Sequence, residues 1–330
     1  MLDSAVAAET SDTRDSSDSS EFPPPIDVGS EALTIPDGAI AGWELVAPSL
    51  HGPIAARGDD DLWLITQSGT DPAHRTDYVV KWDGSAIGPP TRIGYGAYDI
   101  GPSAICASPD AYWTVASGKY ASMHEVTRSL VAVPGSVASG LAFACAPHAV
   151  WTFADDRQIH RHVDGVADGW PVMSAGLPAL TAGFGSLYAP SDDDVWFAGS
   201  AGLIARWNGT SWRVTPSPVT YDLHNIAGSS PTDVYADGDG GVVHWDGTSF
   251  RVLPPPPGYS KIQLFAVASA TEAYFVVPSG AVPTILLRWD GKSWSIVAPL
   301  AGPPGGFSLN TAITPSYLWY SRLGLYRRKR

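Results

Sequence analysis

The stretch SDDDVWFAGSAGLIARWNGTSWRV, residues 191–214, decides the fold. It has an acidic turn, an apolar–aromatic strand, a tight turn, a second strand ending in Arg206-Trp207, then Asn208-Gly209 and a third strand opening on Trp212. SPTDVYADGDGGVVHWDGTSFRV (230–252) and SATEAYFVVPSGAVPTILLRWDGKSWSIV (269–297) repeat it. Asn-Gly and Asp-Gly supply the positive φ that a two-residue hairpin turn needs. Each unit is therefore predicted to be a set of short antiparallel strands, in which successive side chains alternate between faces.

Outward from these units, the strand aromatic recurs at Trp63, Trp113, Trp151, Trp196, Tyr235, Tyr274 and Trp319, at intervals of 50, 38, 45, 39, 39 and 45 residues. That spacing matches the roughly 40 to 50 residues of a four-stranded propeller blade. The turn motif recurs as KWDG (81–84), HVDG (162–165), RWNG (206–209), HWDG (244–247) and RWDG (288–291); MHEV (123–126) stands where the second unit should carry it. The Trp of this motif is predicted to pack between blades. GWELVAPSL (42–50) repeats SWSIVAPL (293–300) and precedes the first unit, whereas the last unit stops short of a fourth strand. The expectation is an all-β, seven-bladed β-propeller whose N-terminal strand completes the last blade. Closure of this kind removes exposed sheet edges.

Composition agrees. The chain of 330 residues has 13 Trp, 34 Gly and 29 Pro, is 44 % hydrophobic, and shows no long amphipathic helical pattern. No apolar run reaches the roughly 18 to 20 residues of a membrane helix. The net charge of −13 disfavours nucleic acid as a partner. The basic run Arg327-Arg328-Lys329-Arg330 is read as a solvated end. Residues 1–38 are read as a disordered acidic, Ser-rich leader or tether, and residues 39–330 as the propeller. Eight acids and one base, Arg14, fall within residues 1–31, a composition that cannot bury enough apolar surface to order itself. No export signal is visible, but such a tether suits an exported protein with a lipid anchor upstream of Met1.

The units DVW…RWNGTSW and DVY…HWDGTSF resemble the Trp-Asn-Gly repeat propellers of secreted and lipid-anchored bacterial proteins, with a looser likeness to kelch repeats. The resemblance covers residues 40 to 330 and implies an extracytoplasmic cell-envelope location more than any chemistry. It does not extend to the Asp-box of sialidase-type propellers, because Asn208 and Asp246 directly precede glycine.

Cys106 and Cys145 occupy similar places in the innermost strands of adjacent blades, where a disulfide would suit an exported protein; two buried thiols are the alternative. The bases Lys81, His162, Arg206, His244 and Arg288 are expected to pair with the acids Asp61, Asp194, Asp233 and Glu272. His160 and His162 share a strand face near Asp155 and Asp156, but lack a third metal ligand and are read as exposed. Asp59–Asp61 and Asp192–Asp194 are read as solvated turn residues, and DGDGG (237–241) as a tight hairpin. No metal or cofactor site and no catalytic motif is recognised.

Ligand contacts are expected at the rim of the central funnel, from Tyr95, Tyr98, Asp155, Asp156, Tyr221, His224, Asp237, Asp239, Tyr259 and Phe307. Rings that stack and carboxylates that accept hydroxyl or amide protons suit a glycan, peptide or protein ligand. The function read from sequence is a non-catalytic binding or scaffold propeller. The alternatives are a lectin-type module, with aromatic–acid pairs repeated blade by blade, and a glycosidase- or lyase-like enzyme with an acid–base cluster in the funnel.

Overall fold

A computed structural model describes residues 42–48, 50, 52–68, 76–95, 105–109, 111–116, 119–124, 129–131, 142–154, 156–163, 166, 169–180, 185–256, 259, 261–277, 284–300, 310–321 and 324–330. The acidic leader lies outside the described residues, as do Tyr98, Asp155 and Phe307.

The described strands form six four-stranded antiparallel sheets and one three-stranded sheet. The first sheet comprises Ile54–Gly58, Asp61–Ser68, Thr76–Trp82 and Thr91–Tyr95; the second Ile105–Ala107, Ala111–Ala116, Lys119–His124 and Ser129–Val131. The third has Ala142–Cys145, Ala149–Phe153 and Ile159–Val163, and the fourth Gly185–Ser191, Asp194–Gly199, Ile204–Trp207 and Trp212–Val214. The fifth has Leu223–Ser230, Asp233–Gly238, Gly241–Trp245 and Phe250–Leu253; the sixth Gln263–Ser269, Glu272–Val277, Ile285–Trp289 and Trp294–Pro299. The closing sheet joins Asn310–Ile313, Tyr317–Ser321 and Gly324–Lys329 to the N-terminal strand Glu44–Pro48. First strands of successive sheets touch, and that of the closing sheet returns to that of the first. This ring of sheets is a β-propeller.

Sequence predicts seven four-stranded blades, whereas six sheets are complete. The third stops at three strands because Pro171, lacking an N–H, cannot extend a ladder. Residues 171–173 run beside its edge instead, through a single His160–Val172 bridge, with Met173 N–H donating to Ile159 O at 2.7 Å and Arg161 N–H to Pro171 O at 3.2 Å.

Closure follows the expected pairing. Glu44 faces Arg327, Leu45 faces Tyr326 and Ala47 faces Leu325. The basic C-terminal run is not simply a solvated end. Arg327 donates to both Glu44 carboxylate oxygens (2.8 and 2.9 Å), and Arg330 to both of Glu272 (3.0 and 2.6 Å).

The core lies between sheets. Trp207 packs on Trp151 of the preceding sheet at 5.7 Å between ring centres, Trp245 on Trp196 at 5.4 Å, and Trp82 on Trp319 at 6.0 Å. Within a sheet the strand aromatic faces a base across the ladder: Trp63 with Lys81, Trp196 with Arg206, Tyr235 with His244, Tyr274 with Arg288, Trp319 with Arg327. In the third sheet that partner is Arg161, 5.3 Å over the Trp151 ring, and not the His162 expected from the turn motif. A one-residue offset moves a side chain to the other face.

The acid-base pairing holds where Asp194 grips Arg206 (2.7 and 2.8 Å) and Asp233 meets His244 (2.7 Å). Asp61 pairs with Lys81 at 3.4 Å and more closely with Arg57 at 2.6 Å, while Glu272 is taken by Arg330. The turn acids are not merely solvated. Asp59 accepts the Ser316 N–H (3.0 Å) and the Thr314 hydroxyl of the closing sheet, and Asp192 accepts the His148 N–H of the third (2.8 Å). Each staples its sheet to the one before.

The Asn-Gly and Asp-Gly turns span four residues rather than two. Asn208 Oδ1 accepts the N–H groups of Thr210 (3.1 Å) and Ser211 (2.9 Å), Asp246 Oδ1 those of Thr248 and Ser249, and Asp290 Oδ1 those of Lys292 and Ser293. Only the glycine takes positive φ, +91° at Gly209. The side chain closes the turn by mimicking a backbone acceptor.

Candidate ligand-binding rim of the fourth to sixth sheets

One end of the ring carries the turns between second and third strands and the connections between sheets. At that end of the fifth sheet, Asp237 occupies a place held in the other sheets by Ile65, Val115, Phe153, Ala198, Val276 and Ser321, each two residues past the strand aromatic. It is only 1 % exposed. It accepts the Asn225 amide at 2.7 Å and, across the gap to the sixth sheet, the backbone N–H of Leu264. Burial pushes its pKa up to about 6, against the pull of those two bonds and of nearby His224 and Lys261. One oxygen is thus held within the fifth sheet and the other joins it to the sixth.

Around it stand the exposed Asp239, with His224 Nε2 at 3.6 Å and Lys261 Nζ at 3.8 Å from its Oδ1. Tyr221 lies against the Asp239-Gly240 hairpin so closely that a Cβ at residue 240 would sit 2.2 Å from its ring. Glycine is required there to admit the ring. Burial, followed by the charge of Asp237, raises the Tyr221 pKa, and its hydroxyl has no partner among the described residues.

Beside this cluster the fourth sheet holds a pocket of about 410 Å³ lined by Pro178, Leu180, Phe197, Leu203, Pro216 and Val219. Ser200 and Ala201 lie on its wall. Ala201 has φ +55°, a strained value for a residue with a side chain, and the buried Ser200 Oγ has no partner among the described residues. Asp222 ties pocket to cluster: its side chain accepts the Ala201 N–H at 2.8 Å and its carbonyl the Asp239 N–H at 3.2 Å.

Of the residues expected at the rim, Tyr221, His224, Asp237 and Asp239 come together. Tyr95 ends the last strand of the first sheet, and Tyr259 lies between the fifth and sixth sheets with its N–H donating to Pro256 O at 3.1 Å. Asp156 caps a hairpin of the third sheet, accepting the Gln158 N–H at 3.0 Å. No described contact brings these three to the cluster. Sequence reasoning missed Asn225, Lys261 and the apolar pocket. Asp237 could have been singled out, because it breaks an otherwise mostly apolar repeat position.

His160 and His162 are buried, not exposed. His160 Nε2 lies 2.9 Å from Asp156 Oδ2 and its Nδ1 3.0 Å from Trp170 O; His162 Nδ1 lies 3.1 Å from Gly169 O, its ring stacked on Trp170. No group of three metal-ligating side chains occurs among the described residues. Cys106 and Cys145 are joined, with Cα atoms 5.6 Å apart, linking the first strands of the second and third sheets. No described helix is long and apolar enough to cross a membrane.

This arrangement defines a β-propeller with a pocketed rim. No family model matches the chain, and no curated protein matches its sequence. Among solved structures, the chain is similar to YCF48 bound to D1 peptide (TM-score 0.61, 12 % identity, 88 % of this chain and 96 % of that one). It is also similar to YCF48 from Cyanidioschyzon merolae (0.58, 14 %, 88 % and 98 %) and to a chain of the mitotic checkpoint complex (0.57, 10 %, 100 % and 99 %). At these identities the likeness is one of fold.

Proposed function

We propose that this protein is a non-catalytic binding or scaffold propeller that takes a peptide segment of a partner protein on the rim of its fourth to sixth sheets. The observation that carries this reading is the link through Asp222 between an apolar pocket and the Tyr221–His224–Asp239–Lys261 cluster. The pocket suits one apolar side chain as an anchor, and the polar cluster suits the peptide's amides and flanking charges. Asp237 sets this rim apart from the rest of the ring, which favours a single ligand site over the blade-by-blade repetition of a lectin. The peptide named in the YCF48 complex makes a peptide the first class to try.

We further read the three-stranded sheet as a seventh blade, its edge covered by residues 171–173. The Cys106–Cys145 bond supports an extracytoplasmic setting, since such bonds persist in oxidising compartments.

The test is selection of peptides from a displayed random library against the protein. Selected peptides are expected to share an apolar anchor and to lose at least about tenfold in affinity with Leu203→Asp. Binding that survives both Leu203→Asp and Asp239→Ala would place the ligand elsewhere.

A further inference from the structure

A second concavity, of about 480 Å³, lies between the outer strands of the fourth and fifth sheets. It sits at the end of the ring opposite the rim, because Asp193 and Asp194, from the turn between first and second strands, line it. Its floor is Trp196, fully buried, with the Arg206 guanidinium 4.8 Å over the ring and clamped by Asp194. One wall is the half-buried Trp245 of the fifth sheet. Arg213, exposed, stands next to Arg206 across the ladder, and Asp193 closes the turn end.

Arg213 singles this groove out. The indole N–H groups of Trp196 and Trp245 are buried without a partner among the described residues, but so are those of Trp151, Trp207 and Trp289 elsewhere in the ring. Arg213, by contrast, is exposed and has no ion-pair partner among the described residues. Its counterpart Arg251 in the fifth sheet is tied to Asp246 at 3.5 Å, and the sixth sheet holds Ser295 at that place.

We propose that this groove binds a neutral saccharide. A sugar ring offers a C–H face to stack on the Trp245 indole. Its hydroxyl oxygens accept from the exposed Arg213, while its hydroxyl protons go to Asp193. A purely apolar ligand would leave Arg213 and Asp193 unused. An anionic sugar would face the chain's net charge of −13. The site is separate from the rim, so the two can be tested independently.

Maltotetraose, cellotetraose and chitotetraose are titrated into the protein at up to about 10 mM, with heat and the tryptophan indole NMR signals as readouts. At least one is expected to saturate a single site and to move the Trp245 signal. Arg213→Ala is expected to weaken it about tenfold, about 1.4 kcal/mol. Trp245→Ala, which removes the stacking face, is expected to weaken it too, while Leu203→Asp at the rim leaves it unchanged. Absence of saturable binding by all three sugars overturns the proposal, as does affinity unaltered by Arg213→Ala.

Discussion

Arg327 of the last strand holds Glu44 of the N-terminal strand in a two-pronged pair across 283 positions of sequence. The same guanidinium lies 4.8 Å over the Tyr317 ring and 5.3 Å over Trp82 of the first sheet. One side chain therefore joins both chain ends and the neighbouring sheet.

Arg327 is for that reason expected to matter more than its partner. Glu44 is 60 % exposed, and exposed pairs contribute about 0–1 kcal/mol. Glu44→Ala should cost no more than that. Arg327→Ala also removes packing on aromatic faces and should cost about 1–3 kcal/mol. Urea unfolding midpoints of the two variants decide this; equal losses would mean that the ion pair alone closes the ring.

The Cys106–Cys145 bond closes a loop across 39 positions of sequence. Its removal by the double Cys→Ser change is expected to lower stability by about 2–4 kcal/mol in the chain-entropy account. Thermal melts with and without reductant should differ for the natural protein and coincide for the variant.

Asp237 imposes a pH dependence of definite sign. Its folded pKa, about 6, lies above that of a free carboxyl, so the native state binds the proton more tightly. The associated stability is fully present below the unfolded pKa, about 4, and is lost as pH rises through about 6. Asp237→Asn should flatten the stability profile between those values. A variant with an unchanged slope there would assign the proton to another group.

The turn chemistry is separable from charge. Asp246 and Asp290 do in their turns what Asn208 does in the fourth sheet. Asn208→Asp should be nearly neutral, whereas Asn208→Ala, which loses the acceptor, should cost about 1 kcal/mol. Chemical denaturation of both variants measures the difference.

The repeat and the closure were legible in the chain because their signals are local. Alternation with period two, a glycine at positive φ and an acceptor two residues before the N–H it caps all act within a few residues. The match of residues 42–50 to 293–300 then left one place for the N-terminal strand. Tertiary structure alone decided the rest. That Arg161 and not His162 covers Trp151 depends on strand register. That Asp237 is buried against Leu264, with Tyr221, His224, Asp239 and Lys261 gathered beside it, depends on how two sheets meet across a gap. Contacts of that kind join residues whose sequence neighbours carry no mark of the partner, so only the folded ring brings the candidate site together.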